Sequence, residues 1–304
     1  MIKIRVPATS ANMGPGFDSL GIALNLYNYV SVEETDAGLS IEIADDTSRF
    51  LPIDSSNLVY RSMCEVFDAT GIRPKGVRLV LENNIPVTRG LGSSSAGIVS
   101  GLCAGNALVG NPLSKDEILT MAARIEGHAD NVTPAVMGGF TVNVTQKRKI
   151  SYVKHSIKDD LRFAAIVPDF RLPTKKSRSL LPGFVSHRDA AYNAGHSALL
   201  TASLISGAYE NIRPAINDRL HQTYRKRLIP EMDEIFRLCY QHGALGVYLS
   251  GAGPTIVAII KESNKNFHAA MSGILAKRMH NRKIYMLEAD NIGAVQVNEQ
   301  KPVD

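Results

Sequence analysis

Pro86-Val87-Thr88-Arg89-Gly90-Leu91-Gly92-Ser93-Ser94-Ser95-Ala96 is the stretch from which the rest of this chain can be read. Upstream, the apolar run Val77 to Leu81 alternates and predicts a strand. Downstream, Gly97 to Leu108 is rich in Ala, Leu, Ile and Val and predicts a helix. A glycine-and-serine turn between strand and helix suits an anion. Gly90 and Gly92 allow positive φ and a close backbone approach. The free amides at the helix start carry partial positive charge, so phosphates settle there. Ser93, Ser94 and Ser95 add hydroxyls for phosphate oxygens or a magnesium ion. No lysine follows the glycines, so this is not the Gly-x-x-x-x-Gly-Lys-Ser/Thr loop. The third glycine of the dinucleotide fingerprint would fall on Ser95, which excludes that motif as well. On these residues alone, a serine-capped helix after a glycine turn, with no ligand, stands as an equal reading.

Working outward, two more glycine-rich segments flank this one at the ends of the chain. Thr9 to Gly21 follows a strand predicted over Ile2 to Ala8, and it holds two side chains able to grip a polar ligand, Asn12 and Asp18. Taken alone, an ordinary turn built from Asn, Asp, Gly and Pro accounts for it better. Leu249-Ser250-Gly251-Ala252-Gly253-Pro254-Thr255 lies between two predicted strands near the other end. Between them, Ser114-Lys115-Asp116-Glu117 is a capping box that opens a helix. That helix runs into Glu126-Gly127-His128-Ala129-Asp130-Asn131. Carboxylates near a phosphate loop are what magnesium needs, although a helix end followed by an Asp/Asn cap explains the same residues.

From about Ser151 the pattern restarts as strand, helix, helix, strand, strand, helix, strand. This is near the split βαβ arrangement of the ferredoxin-like group. The polar segment Gln146 to Asp160 is the expected link between two α+β domains, 1–155 and 156–304.

Composition narrows the function. The 304 residues carry a net charge of +5, which suits an anionic substrate. Aromatic residues make up 6% and are not interleaved with basic ones, which argues against single-stranded nucleic acid. No apolar run is long enough to span a membrane. Cys64, Cys103 and Cys239 are isolated in apolar helical runs, so free thiols in a reducing cytoplasm are expected. The start of the chain, Met1-Ile2-Lys3-Ile4-Arg5, alternates like a strand and is not the pattern of a signal peptide.

Together and in this order, the three glycine-rich segments resemble the three motifs of the GHMP kinases. Val6 to Asp18 and Glu126 to Asn131 are most similar to the branch of that family that phosphorylates homoserine. The resemblance implies a two-domain fold, with an N-terminal ribosomal-protein-like domain, a C-terminal ferredoxin-like domain and the active site in the cleft between them. It implies transfer of the ATP γ-phosphoryl group to the side-chain hydroxyl of L-homoserine, a step of threonine biosynthesis. Pro86 to Ala96 would cradle the ATP phosphates, the region near Asn57 to Arg61 would border adenine, and Gly251, Gly253 and Thr255 would meet the loop from the other domain. Ser94 and Glu126 match magnesium ligands. Asn12, Asp18, His128, Asn131, Thr174, Arg178 and Arg225 match substrate positions.

Homoserine is a zwitterion. Its carboxylate calls for guanidinium groups and its ammonium for a carboxylate. Arg178, Arg225 and Asp18 supply both charges, whereas mevalonate would need only cations. Arg225, in the run Tyr224-Arg225-Lys226-Arg227, reads equally as a surface arginine. For the proton, the resemblance implies positioning beside Asn131 first, with Asp130 or His128 as weaker alternatives. Homodimers are common among such kinases, and no pattern in this chain specifies one. Another small-molecule GHMP kinase, or a nucleotide-binding regulator that kept the fold without the chemistry, are the alternatives.

Overall fold

A computed structural model describes residues 1–45, 47, 50–147, 149–279 and 281–297. Two β-sheets organise them. The elements of the first half are β1 (Ile2–Ala11), β2 (Leu20–Thr35), β3 (Gly38–Ile43), α1 (Leu58–Thr70), β4 (Gly76–Asn83), α2 (Ser93–Leu108), α3 (Lys115–Glu126), α4 (Ala129–Met137), β5 (Phe140–Gln146) and β6 (Lys149–His155). The second half has β7 (Leu161–Pro168), α5 (Thr174–Arg178), α6 (His187–Ser206), α7 (Ile212–Ala215), α8 (Gln222–Arg225), α9 (Met232–Gln241), β8 (Gly246–Leu249), β9 (Ile256–Lys261), α10 (Phe267–Arg278), β10 (Arg282–Leu287) and β11 (Val295–Val297).

The first sheet runs β11-β1-β2-β4-β3, and β5 pairs with the start of β2 and with β6. α2 and α4 lie on β1 and β2, and α1 and α3 flank them. Local chemistry sets the helix ends. The Asn57 side chain accepts from the Val59 and Tyr60 amides to start α1, and Gly71 ends it in the left-handed region. Ser114 and Glu117 form the expected capping box at α3. β1 is locally irregular between Pro7 and Ala8, where proline has no amide for the ladder.

The second sheet runs β10-β7-β9-β8 with every neighbour antiparallel, the ferredoxin-like order. Its strands alternate strictly. Ala164, Ile166, Leu249, Ile256 and Ala258 face α9 and α10. Phe163, Ala165, Val167, Tyr248, Val257 and Ile259 join the core shared with the first half of the chain. Both faces are covered, so both side-chain sets are apolar.

Two strands escape the sequence reading. Gln146 to Asp160 is not only a link, because Lys149–His155 forms β6 and pairs with β5 as a hairpin. Its Lys and His content is that of an edge strand, where charge on the outer side blocks further pairing. Near the other end, Val295–Val297 leaves the second sheet and pairs with β1. Residues 298–304 lie outside the described residues.

The first and central glycine segments touch at Gly92. It has a φ of 68°, and a β-carbon there would overlap the Thr9 hydroxyl. Gly97, inside α2, has room, since its β-carbon would meet only methyls of Leu58 and Val59 at 3.7 and 3.9 Å. We expect Gly92→Ala to lower the free energy of unfolding by about 1–3 kcal/mol. Gly97→Ala is expected to be neutral or stabilising by up to about 1 kcal/mol. Urea midpoints at unchanged m-value measure both.

Candidate active site

The central loop is held by its carbonyls. The Leu91 carbonyl accepts from the Thr9 amide at 3.1 Å, and the Arg89 carbonyl accepts from the Thr255 amide at 3.1 Å. Arg89 also takes the Thr255 hydroxyl, and the Gly90 carbonyl takes the Ser250 hydroxyl, each at 2.5 Å. The Arg89 side chain donates from Nε to the Pro168 carbonyl at 2.8 Å. With these acceptors spent, α2 begins at Ser93 with left-handed Gly92 before it and no side chain capping its first amides. Those amides are the anion-receptive group.

In front of the loop lies a cavity of about 340 Å³. Glu126, the last residue of α3, reaches the start of α2. Its two carboxylate oxygens accept from Ser94 Oγ at 3.0 Å and Ser95 Oγ at 2.9 Å. Ser94 and Glu126 offer hard oxygen donors at the start of α2, which fit a cation that takes its remaining ligands from phosphate and water, the habit of magnesium.

At the other end of the cavity stand charges. Arg178 and Asp18 form a two-pronged pair, Nη2–Oδ1 2.7 Å and Nη1–Oδ2 3.2 Å, with both side chains about one-third exposed. Asn12, at a φ of 67°, accepts from the Asp18 amide at 3.0 Å and donates to the Gly251 carbonyl at 2.9 Å. Ser177 donates to the Ala252 carbonyl at 2.7 Å, which docks α5 and sets Arg178 in place. Arg225 is 1% exposed. Its Nη1 donates to the Gly251 carbonyl at 2.9 Å and to His221 Nδ1 at 3.1 Å, while its Nε has no partner. Burial, with Arg178 nearby, pulls its pKa down to about 10, so it stays charged at neutral pH. The alternative reading of Arg225 as a surface arginine is therefore excluded. Lys226 and Arg227 of the same run are exposed.

His128 and Asp130 lie beside the loop. Asp130 is 2% exposed, and its Oδ1 sits 3.1 Å from His128 Nδ1. That carboxylate raises the imidazole pKa above 6.5, against the opposing effect of burial. Asn131 is held by Thr9, whose hydroxyl donates to Asn131 Oδ1 at 2.8 Å, and its amide nitrogen lies 3.4 Å from Asp130 Oδ1.

Most of the residues expected from the sequence line this one cavity: Asn12, Asn57, Val87 to Gly90, Gly92 to Ser95, Glu126, His128, Asp130, Asn131, Thr174, Arg178, Arg225 and Gly251. Leu91 and Ala96 are buried under the loop, and Gly253 and Thr255 brace it from outside the cavity. Pro86 borders a neighbouring hollow. Asp18 meets the cavity through Arg178. Asn57 spends its amide on the α1 cap and on the Pro52 carbonyl, leaving shape as its contribution. An apolar wall lines the cavity: Leu58 and Val59 come from the region expected near adenine, whereas Leu51 and Pro52 were not anticipated, since scattered aliphatics carry no motif. Phe17 was also missed. Its ring lies beneath both guanidinium groups, 5.6 Å from Arg178 and 5.4 Å from Arg225. An aromatic beside Asp18 in a segment of small residues was the available signal.

A helix start with uncapped amides, with hard-oxygen donors beside it, suits phosphate esters. Matches to family models agree: residues 57–139 match the GHMP kinases N terminal domain and residues 200–274 the GHMP kinases C terminal domain. The chain belongs to the GHMP kinase family, whose members use ATP. Its curated relatives include proteins named homoserine kinase. One from Petrotoga mobilis is 45% identical over 300 residues, covering 99% of this chain and 98% of that one. Another, from Clostridium botulinum strain Alaska E43, is 46% identical over 298 residues, 98% of this chain and 99% of that one. The crystal structure of homoserine kinase from Cytophaga hutchinsonii matches with a TM-score of 0.88 at 30% identity over 97% of each chain. A mevalonate kinase from L. major, in complex with R-mevalonate, has a TM-score of 0.70 at 16% identity, a likeness of fold alone.

Since the folded state raises the His128 pKa above 6.5, the protonated ring stabilises the fold. That stabilisation is full below about pH 6.5 and is lost as pH rises through the higher folded value. Asp130→Asn removes the leading cause and leaves burial, so the His128 pKa is expected to fall. An NMR titration of its Cε1–H resonance measures this.

Proposed function

We propose that this protein transfers the γ-phosphoryl group of ATP to the side-chain hydroxyl of L-homoserine, giving O-phospho-L-homoserine and ADP. The observation that carries this reading is Arg225, a buried cation in the phosphate-loop cavity that no carboxylate neutralises at hydrogen-bond distance among the described residues. A buried charge without a counter-ion is costly, and the cost is met when a ligand brings the missing anion. Beside it, Asp18 and Arg178 are paired with each other. A zwitterion can enter by exchange, its ammonium taking Asp18 while its carboxylate takes Arg178 and Arg225. No charge is then left unpaired. The relatives named homoserine kinase, aligned over nearly the whole chain, support the same substrate.

In this reading ATP lies with its base toward the wall of Leu51, Pro52, Leu58 and Val59 and its phosphates at the start of α2. Phosphoryl transfer has a loose transition state, so positioning and charge neutralisation do most of the catalytic work. The α2 amides and Ser94 supply fixed positive ends of dipoles. Ser94 and Glu126 would hold magnesium, whose chemistry is to neutralise phosphate charge. Asn131, locked by Thr9, orients the acceptor hydroxyl. Asp130 is already engaged by His128 and Asn131, which suits a supporting role better than that of an unencumbered base.

ADP release with ATP and magnesium is expected with L-homoserine and not with L-threonine, L-serine or mevalonate. Turnover on mevalonate alone would overturn the substrate assignment and keep the family. A general base normally contributes about 10²–10⁴ in rate. If positioning dominates, Asp130→Asn should lower kcat by less than about tenfold. Glu126→Ala should cost about a hundredfold or more.

A further inference from the structure

We infer that His221 is a positioning residue for the amino-acid substrate: its neutral imidazole grips one nitrogen of Arg225 and thereby keeps the other edge of that guanidinium open for the substrate carboxylate. The inference deepens the reading of Arg225 given above and rests on it. His221 is fully buried and lies at the start of α8, one turn before Arg225. Its Nε2 is 2.8 Å from the Gly14 carbonyl oxygen, so Nε2 carries the hydrogen. Its Nδ1 is 3.1 Å from Arg225 Nη1, and a guanidinium can only donate, so Nδ1 carries a lone pair. The two contacts demand the same neutral tautomer. Burial lowers the His221 pKa below 6.5, and Arg225 acts in the same direction. Asp218, whose Oδ2 is 3.7 Å from Nε2, opposes the shift.

The consequence falls on Arg225. Nη1 has two hydrogens, and His221 and the Gly251 carbonyl take both. Nε is buried without a partner, and no bond occupies Nη2 among the described residues. Nε and Nη2 form the edge that donates two parallel bonds to a carboxylate. His221 is itself locked. Its backbone amide donates to Asp218 at 2.9 Å, and its ring stacks on Phe17 with centroids 5.4 Å apart. The imidazole therefore connects Gly14, in the first glycine segment, to the arginine that reads the substrate.

The test uses the full chain and two substitutions that split the two nitrogens. An Asn amide reaches the position of Nδ1, and a Gln amide reaches that of Nε2. His221→Gln should raise KM for L-homoserine about tenfold or more, the size of a lost hydrogen bond to a charged group. It should leave KM for ATP unchanged, and His221→Asn should recover most of the loss. The reverse order, or an equal rise in both KM values, would mean that His221 only ties down Gly14 and would overturn the inference. Arg225→Gln separates the two layers. If it leaves the homoserine KM unchanged, the carboxylate reading of Arg225 fails and the inference goes with it. If it raises that KM while His221→Gln does not, only the positioning role fails. Should the His221 variants not fold, ¹⁵N NMR of the unmodified protein decides: a neutral Nε2–H ring from pH 6 to 8 supports the inference, and a charged or Nδ1–H ring overturns it.

Discussion

Everything in this structure depends on three consecutive carbonyls, those of Arg89, Gly90 and Leu91, which accept hydrogen bonds from Thr255, Ser250 and Thr9. A peptide unit cannot turn its carbonyl and its amide to the same side. Securing the carbonyls against the first and third glycine segments turns the amides of Gly90, Leu91 and Gly92 to the opposite side and fixes where α2 begins, whose own first amides have no intrahelical partner. The anion site is thus a by-product of how three distant segments are sewn together. Gly92 permits the seam, because a side chain there would overlap Thr9.

The second constraint is buried charge. Arg225 costs the fold stability, since desolvation of a cation is only partly offset by a carbonyl, an imidazole and an aromatic face. The Asp18–Arg178 pair is neutral overall and about one-third open to solvent, so it is cheap to hold and easy to exchange. One tight cation and one exchangeable pair give a site that prefers a ligand with both charges. The thiols play no part. They are free, and burial pushes Cys103 and Cys239 up to about 12. Among the described residues no helix is long and apolar enough to cross a membrane.

Much of the architecture was legible because period and punctuation agree in it. The strands of the second sheet are short apolar runs between glycine and proline signals, and α3 carries its capping box in four consecutive letters. β6 was not legible. An edge strand is read by what its outer side avoids, and charge looks the same in an edge strand and a linker. β11 is three residues long, and its pairing with β1 has a sequence separation of almost the whole chain. Within the site, residues inside the glycine segments were legible because small residues mark close backbone approach. Leu51 and Pro52 of the apolar wall were not, because aliphatic side chains read alike in a core and in a pocket.

The amino-acid sequence by itself determined the local chemistry: where helices start, which loop can present amides to an anion, and which charged side chains are present for a zwitterion. These follow from neighbours a few residues apart, and short-range steric and hydrogen-bonding rules suffice for them. Only the tertiary structure decided that Arg225 is buried while Lys226 and Arg227 beside it are exposed. It alone decided that Thr255 braces the loop from outside the cavity. It alone brought His221 between Gly14 and Arg225. Burial and partner choice depend on what the second sheet packs against the first, and that information is spread over contacts some two hundred residues apart.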